Sequence, residues 1–157
     1  MQTRLLSADA FLAVIANTPL VSIDLIVRNA GGAMLVGRRV NEPAKGNWFV
    51  PGGRILKDET LEQAFARISE NELGCRRSLA EARLLGAFTH KYDSNALDAP
   101  GVSTHYVVLA YVLAADPAQV SALAQHSDVR WITYDQLATD GALARDVHDN
   151  VLPYFEQ

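Results

Sequence analysis

The stretch "GGRILKDETLEQAFARISENELGC", residues 52–75, joins a glycine turn to a helix and constrains the fold more than any other part of the chain. Thr60 is placed to cap the helix, with Gln63 three residues further on as its capping-box partner. Gly74 supplies a C-terminal stop, because glycine adopts the left-handed conformation that ends many helices. The stretch therefore predicts a helix over about residues 61–73.

One carboxylate of this helix lies on its apolar side. At about 100° per residue, Leu61, Ala64, Phe65 and Ile68 form one stripe, and Glu72 continues that stripe toward the rest of the protein. An ionised carboxylate there costs on the order of several kcal/mol unless it is paired, hydrogen-bonded or bound to metal. Two interpretations stay open: a cation ligand, or a side chain that bends out to solvent or pairs with an arginine.

The glycines before the helix favour the first interpretation. Gly52 and Gly53 follow Pro51, so the backbone there turns sharply and brings a bare carbonyl or amide close to a ligand. A carboxylate, a backbone carbonyl and phosphate oxygens together make a magnesium site. Each element alone is a weak signal, since Pro-Gly-Gly is more often only a turn.

The whole-chain composition limits the classes of protein. A length of 157 residues, with 49% apolar and 20% charged residues, predicts a single domain over residues 1–157. The formal net charge of −4 gives no global basic field and argues against a nucleic-acid partner, although clustered arginines still suit a small anion. The single cysteine, Cys75, excludes an internal disulfide and a multi-thiolate metal site. We expect a cytoplasmic protein without membrane association, since no signal-like or membrane-spanning apolar run is present.

The remaining pattern alternates strands with short helices. Ser7 caps a predicted helix that ends near Asn17. Strand patterns follow in "LVSIDLIV", "AMLVGRR", "RLLGAFTHKY" and "HYVVLAYVLA", and "VRWITYDQLA" reads as a strand leading into a helix. This arrangement predicts an α+β fold in which a mixed β-sheet is sandwiched between α-helices.

The loop–helix–loop stretch resembles the Nudix box, G-x5-E-x7-R-E-U-x-E-E-x-G-U, where U is apolar. Five fixed-type positions of the box are matched, by Gly53, Glu59, Arg67, Glu72 and Gly74. The resemblance implies a Nudix fold with metal–phosphate chemistry.

Three positions of this box depart from the family pattern. Ile68 and Asn71 stand where the box has glutamates, and Ser69 stands where it has an aliphatic residue. An ordinary Nudix hydrolase uses several carboxylates to gather more than one cation and activate water against phosphorus. Because this helix supplies one inward ligand, the chain has either lost catalysis or attacks a different atom.

The departures resemble those of the GDP-mannose mannosyl hydrolase subfamily of Nudix proteins, and so do several stretches outside the box. These are "TPLVSIDLIV", the segment from "GRRVNEPAKG" through "SENELG", "THYVVL" and "QHSDVRW". The resemblance implies hydrolysis of GDP-mannose, or second GDP-glucose, to GDP and free sugar by water attack at the anomeric carbon with inversion. It also implies Mg²⁺ as cofactor, with Mn²⁺ as a substitute, a nucleotide-sugar substrate and a homodimer.

The subfamily resemblance also implies a set of site residues. Its metal ligands match Gly52, Glu72 and Gln125, and its general base matches His126. Its phosphate-side and sugar-side residues match Arg39, Arg54, Arg67, Tyr106, Asp24 and His90.

Ordinary structural roles stay open for several of these residues. His126 is otherwise a solvated loop residue, Arg67 a brace for carboxylates, Tyr106 a core aromatic and Asp24 a surface polar residue. The base pocket is not assigned, although Trp48, Phe49 and Tyr92 are candidate stacking residues.

Two other functions stay open. One is a Nudix pyrophosphohydrolase that attacks phosphorus on another nucleoside diphosphate derivative, which the missing helix acids disfavour. The other is a non-catalytic nucleotide-sugar sensor, which keeps Arg39 and Arg54 but does not need His126.

Overall fold

The computed structural model describes residues 5–120 and 126–156, with the backbone only at residues 126 and 127. The helices are α1 (Ala8–Asn17), α2 (Leu61–Leu73), α3 (Tyr134–Thr139), α4 (Gly141–Asp146) and α5 (Leu152–Phe155). The strands are β1 (Leu20–Arg28), β2 (Met34–Arg39), β3 (Trp48–Phe49), β4 (Gly52–Arg54), β5 (Arg83–Tyr92), β6 (Thr104–Ala114) and β7 (His126–Ile132). Among the described residues, no helix is both long and apolar enough to span a bilayer.

One mixed, seven-stranded sheet organises the molecule around β1. The strand order is β3-β2-β1-β6-β5, with β4 also paired to β1 and β7 to β2. β1 runs parallel to β6 over its whole length and antiparallel to β4 over residues 22–24. Its far end pairs antiparallel with β2 at Arg28 and Met34, so these two strands form a hairpin.

Both faces of β1 are covered, and this explains its nearly continuous apolar sequence. Ile23, Leu25 and Val27 pack in a core beneath α2. Ile26, on the alternate face, belongs to a second core that α3, α4 and α5 complete. The sheet is therefore sandwiched between helices, as the sequence predicts.

Helix α2 has the predicted ends. The Thr60 hydroxyl accepts from the backbone of Gln63, whose side chain accepts from the backbone of Thr60, and Gly74 has a φ of 73°. One part of the predicted stripe is wrong, because Leu61 is 39% exposed. It lies in the first turn, and the buried face begins at Ala64.

The C-terminal segment packs against the second face of the sheet. Val147 forms a bridge to Trp48, and the amide of His148 donates to the carbonyl of Trp48. Tyr154 and Phe155 of α5 are buried in the core on this face. This segment packs behind the candidate active site.

Candidate active site

A cleft of about 580 Å³ lies on the same side of the sheet as α5. It collects residues from five strands and the end of a sixth, namely β1, β3, β4, β5, β6 and the end of β2. The predicted site residues that line it are Asp24, Arg39, Gly52, Arg54, His90 and Tyr106. The structure therefore brings together most of the residues that the sequence singles out.

Strand pairing sets this arrangement. Asp24 of β1 is the Cα partner of Gly52 of β4, and His90 of β5 is the partner of Tyr106 of β6. Gly52 cannot carry a side chain here, because an added Cβ would lie 2.6 Å from the carbonyl oxygen of Ile23 and 2.8 Å from Oδ1 of Asp24. The absence of a side chain lets β4 lie directly against the Asp24 carboxylate.

Asp24 is buried, which overturns the reading of it as a surface polar residue. It is 5% exposed, and its Oδ2 accepts a 2.8 Å hydrogen bond from the Tyr154 hydroxyl. Burial raises the pKa of Asp24 to about 7, while the Tyr154 hydrogen bond and the charge of Arg39 act in the opposite direction. The strand pattern misled here because α5 covers the second face of β1.

His90 is also buried, with 3% exposure. Burial, together with the nearby His148, lowers the pKa of His90 to about 4. The ring is therefore neutral at neutral pH, with one nitrogen that donates and one that accepts.

Arg39 and Arg54 supply positive charge to the cleft. Nε of Arg39 donates to the carbonyl of Pro43 at 2.8 Å, which fixes its guanidinium beside the loop that follows β2. The Arg54 guanidinium lies over the Phe11 ring, 4.1 Å from its centroid. Both arginines counteract the burial that raises the pKa of Tyr106, a residue that keeps its proton at neutral pH and can donate a hydrogen bond.

Arg67 braces the loop before α2. Its Nε and one terminal nitrogen donate to both carboxylate oxygens of Glu59, at 2.6 and 2.9 Å, and it also donates to the carbonyl of Arg54. Glu59 in turn accepts from the amide of Leu56, so the ion pair also holds the backbone of this loop. This geometry favours the bracing role for Arg67, and direct substrate contact by Arg67 stays a prediction.

Glu72 lies on the inner side of α2, as predicted, and is 4% exposed. Burial raises the pKa of Glu72 to about 7, and the charge of Arg39 partly offsets this effect. Two of the neighbouring departures from the box, Ile68 and Ser69, are buried and have structural roles, whereas Asn71 is exposed. A Cβ at Gly53 would lie 3.1 Å from Cγ1 of Ile68, and the buried Ser69 hydroxyl donates to the carbonyl of Ala66 and accepts from the amide of Arg77.

These donors fit magnesium better than a metal that needs a closed set of protein ligands. Within residues 5–120 and 128–156, no three His, Cys, Asp or Glu side chains converge on a common point. A hard cation that takes one carboxylate and one carbonyl, and keeps water or phosphate oxygens elsewhere, needs no such cluster. Glu72 and Gly52 supply oxygen donors of this kind.

The last two predicted residues are described only in part. Gln125 lies outside the described residues. His126 begins β7, and its backbone pairs with Arg39 at the edge of the cleft. Its expected position in a loop is therefore wrong, since pairing with β2 extends β7 to this residue.

The aromatic candidates divide between core and cleft. Trp48 is 3% exposed and lies between the guanidinium groups of Arg38 and Arg130. Phe49 and Tyr92 line the cleft.

Sequence reasoning did not find Tyr154, which contacts two predicted site residues. The residue lies in a four-residue helix after Pro153, and nothing in its local pattern marks it.

Comparisons with known proteins identify the family of the chain. The NUDIX domain family profile matches residues 18–155. The low-salt glycan biosynthesis protein Agl8 of Haloferax volcanii is 44% identical over 123 residues, which cover 78% of this chain and 76% of that protein.

Two solved structures show the same fold. The MutT protein of Methanosarcina mazei Go1 superposes with a TM-score of 0.64 at 19% identity, covering 89% of this chain and 93% of the other. The NUDIX domain of Shewanella oneidensis NrtR, complexed with ADP-ribose, gives a TM-score of 0.62 at 21% identity and covers 96% of both chains. With the box, the fold and the family profile in agreement, the chain belongs to the Nudix family of hydrolases.

Proposed function

We propose that the protein hydrolyses GDP-mannose to GDP and free mannose by attack of water at the anomeric carbon, with inversion. GDP-glucose is the second candidate substrate. One observation carries the proposal: α2 offers a single inward carboxylate, Glu72, while Ile68 packs against Gly53 and Ser69 hydrogen-bonds to the backbone. A relative named for glycan biosynthesis, at 44% identity, supports a sugar-containing substrate.

The cleft offers a phosphate side with cationic and hydroxyl donors. Arg39 and Arg54 present guanidinium groups, whose planar forks suit the oxygens of a diphosphate. Tyr106 keeps its proton and is proposed to donate a hydrogen bond to the departing β-phosphate. Arg67 holds the Arg54 carbonyl and so supports this side from behind.

Glu72, Gly52 and Gln125 are the proposed ligands for Mg²⁺, with Mn²⁺ as a substitute. When bound, the cation stabilises the charge that develops on the leaving diphosphate. Attack at carbon needs no second metal-bound nucleophile, which agrees with the small number of carboxylates on α2. Gly52 contributes only its backbone, and its lack of a side chain leaves room for the Asp24 carboxylate beside it.

Asp24 and His90 form the proposed sugar side of the cleft. Both are buried polar groups within the lining of the same cleft as the arginines. A carboxylate near the anomeric carbon favours the oxocarbenium character of the transition state. The neutral His90 ring adds hydrogen-bonding capacity without adding charge.

His126 is the proposed general base. An imidazole has an unperturbed pKa near ~6.5 and accepts a proton from water at neutral pH. The backbone pairing of His126 with Arg39 supports a position near the substrate. The assignment otherwise rests on the resemblance to the mannosyl hydrolases, as do the proposed homodimer and the cytoplasmic location.

The position of bond cleavage tests the proposal directly. In water enriched in oxygen-18, attack at carbon places the heavy oxygen in the released sugar and leaves GDP unlabelled. Mass spectrometry of both products, with NMR of the first-formed anomer, measures this. We expect labelled β-mannose from the α-linked substrate. Label in GDP, or formation of GMP with mannose 1-phosphate, supports the phosphorus-attacking alternative instead.

Replacement of the proposed base separates an enzyme from a sensor. We expect His126→Ala to lower kcat by about 10²–10⁴-fold while the Kd for GDP changes little, because the base acts on water and not on the nucleotide. His105→Ala, which removes a half-buried histidine of β6, is the matched control. Unchanged turnover in His126→Ala argues against this base, and absence of turnover in the unmodified protein favours the sensor.

A further inference from the structure

Tyr154 brings a hydroxyl group to the two buried residues on the sugar side of the cleft. Its hydroxyl donates to Oδ2 of Asp24 at 2.8 Å and lies 3.4 Å from Nε2 of His90. Tyr154 itself is fully buried, behind the cleft that Asp24 and His90 line. The three groups come from α5, β1 and β5, so only the completed fold assembles them.

Packing alone does not require this hydroxyl. The Tyr154 ring lies edge-on to Phe88, with 5.2 Å between ring centroids, in an apolar core that suits phenylalanine equally well. A buried hydroxyl costs free energy unless it is hydrogen-bonded, and here both nearby polar groups are site residues. The hydroxyl is therefore explained by what it does to Asp24 and His90.

The C-terminal segment fixes the position of the phenol. The carbonyl of Tyr154 accepts a 2.8 Å hydrogen bond from the Arg28 guanidinium, at the end of β1. The amide of Tyr154 donates to the carbonyl of Val151, which is fully buried. The Arg28 contact ties α5 to the sheet and the Val151 contact shapes the turn that carries Tyr154, so the hydroxyl is presented to Asp24 from a fixed direction.

When Asp24 is ionised, as the proposed sugar side requires, the hydrogen bonds also define the tautomer of His90. A phenol has one proton, and the 2.8 Å contact assigns it to the Asp24 carboxylate. The contact with Nε2 of His90 is then favourable only if Nε2 carries the hydrogen and donates to the phenol oxygen. A neutral ring protonated at Nε2 keeps Nδ1 as an acceptor. Asp24 and His90 then both offer acceptors, which suit the hydroxyl hydrogens of a sugar.

We propose that Tyr154 is a positioning residue for the sugar side of the cleft, whose hydroxyl fixes the orientation of the Asp24 carboxylate and the tautomer of the His90 ring. The proposal rests on the proposed function, because it assigns to Asp24 and His90 the recognition of a sugar. It adds a residue outside the cleft lining.

Removal of one oxygen atom tests this role. In Tyr154→Phe we expect kcat for GDP-mannose to fall about 10–100-fold, because both sugar-side groups lose their common partner. The Kd for GDP should stay within about twofold, since the nucleotide contacts lie on the arginine side. The melting temperature should change by less than about 3 °C, because the ring still fills the same space. Tyr111→Phe removes a buried hydroxyl beneath α2 and is the matched control, with unchanged kcat expected.

Nitrogen-15 NMR of the histidine rings provides a second measurement that needs no turnover. In the unmodified protein we expect His90 to be protonated at Nε2, and in Tyr154→Phe we expect its ring to shift toward a mixture of tautomers. The His90→Gln variant assigns the signal. A His90 protonated at Nδ1 in the unmodified protein overturns the inference, even if Tyr154→Phe does not fold.

The two readouts separate failure of this inference from failure of the proposed function. If the unmodified protein labels the sugar but Tyr154→Phe keeps its kcat, only the positioning role fails. If GDP affinity falls as much as kcat, or the control Tyr111→Phe loses the same activity, the effect is structural and the inference is wrong. If the protein labels GDP, the proposed function fails, and the His90 tautomer still decides whether Tyr154 positions that ring.

Discussion

Burial shifts the pKa values of the acids and of the histidine of the candidate site in opposite directions. It raises the pKa of Asp24 and of Glu72 to about 7 and lowers the pKa of His90 to about 4. In each case removal from water disfavours the charged form, which is the anion of an acid and the cation of a histidine. In the free protein the arginines are therefore the main fixed charges of the site, and a bound cation would favour the ionised form of Glu72.

The lowered pKa of His90 predicts a pH-dependent contribution to stability. Below its ordinary pKa of 6.5, the unfolded chain binds a proton that the folded protein does not bind until about pH 4. Stability is therefore lost as the pH falls through this window. Relative to His90→Gln, the unmodified protein should lose about 1–2 kcal/mol between pH 7 and pH 5. Urea unfolding at both pH values measures the difference.

The comparison between variants is needed because Asp24 acts in the opposite direction. Its folded-state pKa of about 7 lies above the ordinary value of 3.8, so its contribution to stability is present at low pH and is lost as the pH rises toward 7. Both proteins share this effect, which cancels in the difference. A stability gap that stays constant from pH 7 to pH 5 means that the folded protein admits a proton at His90.

At the level of the elements, the sequence predicts α2 well because its signals are local. The capping box at Thr60 and the stop at Gly74 lie within the helix ends themselves, and the inward position of Glu72 follows from helical periodicity. The burial of Asp24 has no such local signal, since it depends on α5, which starts more than a hundred residues later in the chain. Helices α4 and α5 are short and carry little periodicity, so the sequence pattern does not predict them.

The brace between α2 and the preceding loop is the element-level feature that most directly supports the phosphate side. Arg67 makes a two-pronged contact with Glu59, whose side chain is 8% exposed, and a third contact with the Arg54 carbonyl. Lysine cannot reproduce this fork. In Arg67→Lys we expect a loss of about 1–2 kcal/mol in stability and a fall of about tenfold in kcat/KM. Thermal unfolding and steady-state kinetics measure the two effects.

A surface pair in the same region provides the control. Arg76 and Glu70 form a 3.1 Å ion pair with side chains that are 63% and 56% exposed. Such pairs contribute little, so Arg76→Lys should change stability by less than about 0.5 kcal/mol and leave kcat/KM unchanged. Equal effects of the two substitutions would mean that Arg67 acts only through its charge and not through its bidentate geometry.

At the scale of the whole molecule, the cleft is distributed over the complete fold. Phe11 in α1 covers Arg54, and Tyr154 in α5 reaches Asp24, so residues near both ends of the described chain support the same site. The strand register between β1 and β4, and between β5 and β6, sets the remaining distances. The resemblance to the mannosyl hydrolases is enough to identify residues that line the cleft. A residue behind the lining, such as Tyr154, can be identified only from the assembled sheet and α5.

A site built in this way couples ligand binding to the stability of the whole domain. At about 100 times its Kd, GDP with magnesium should stabilise the folded protein by about 2.7 kcal/mol, which corresponds to about 5–10 °C for a domain of this size. The unfolding transition should stay single, because the binding groups are spread over the sheet and α2.

Glu72→Gln should remove the part of the shift in melting temperature that depends on magnesium and keep the part caused by GDP alone. It should not lower the melting temperature of the free protein, since burial already disfavours the charge of Glu72. Differential scanning calorimetry with GDP alone, with magnesium alone and with both together measures these shifts in melting temperature. A full magnesium increment in Glu72→Gln would exclude this carboxylate as the ligand, and two separate transitions would contradict the coupling.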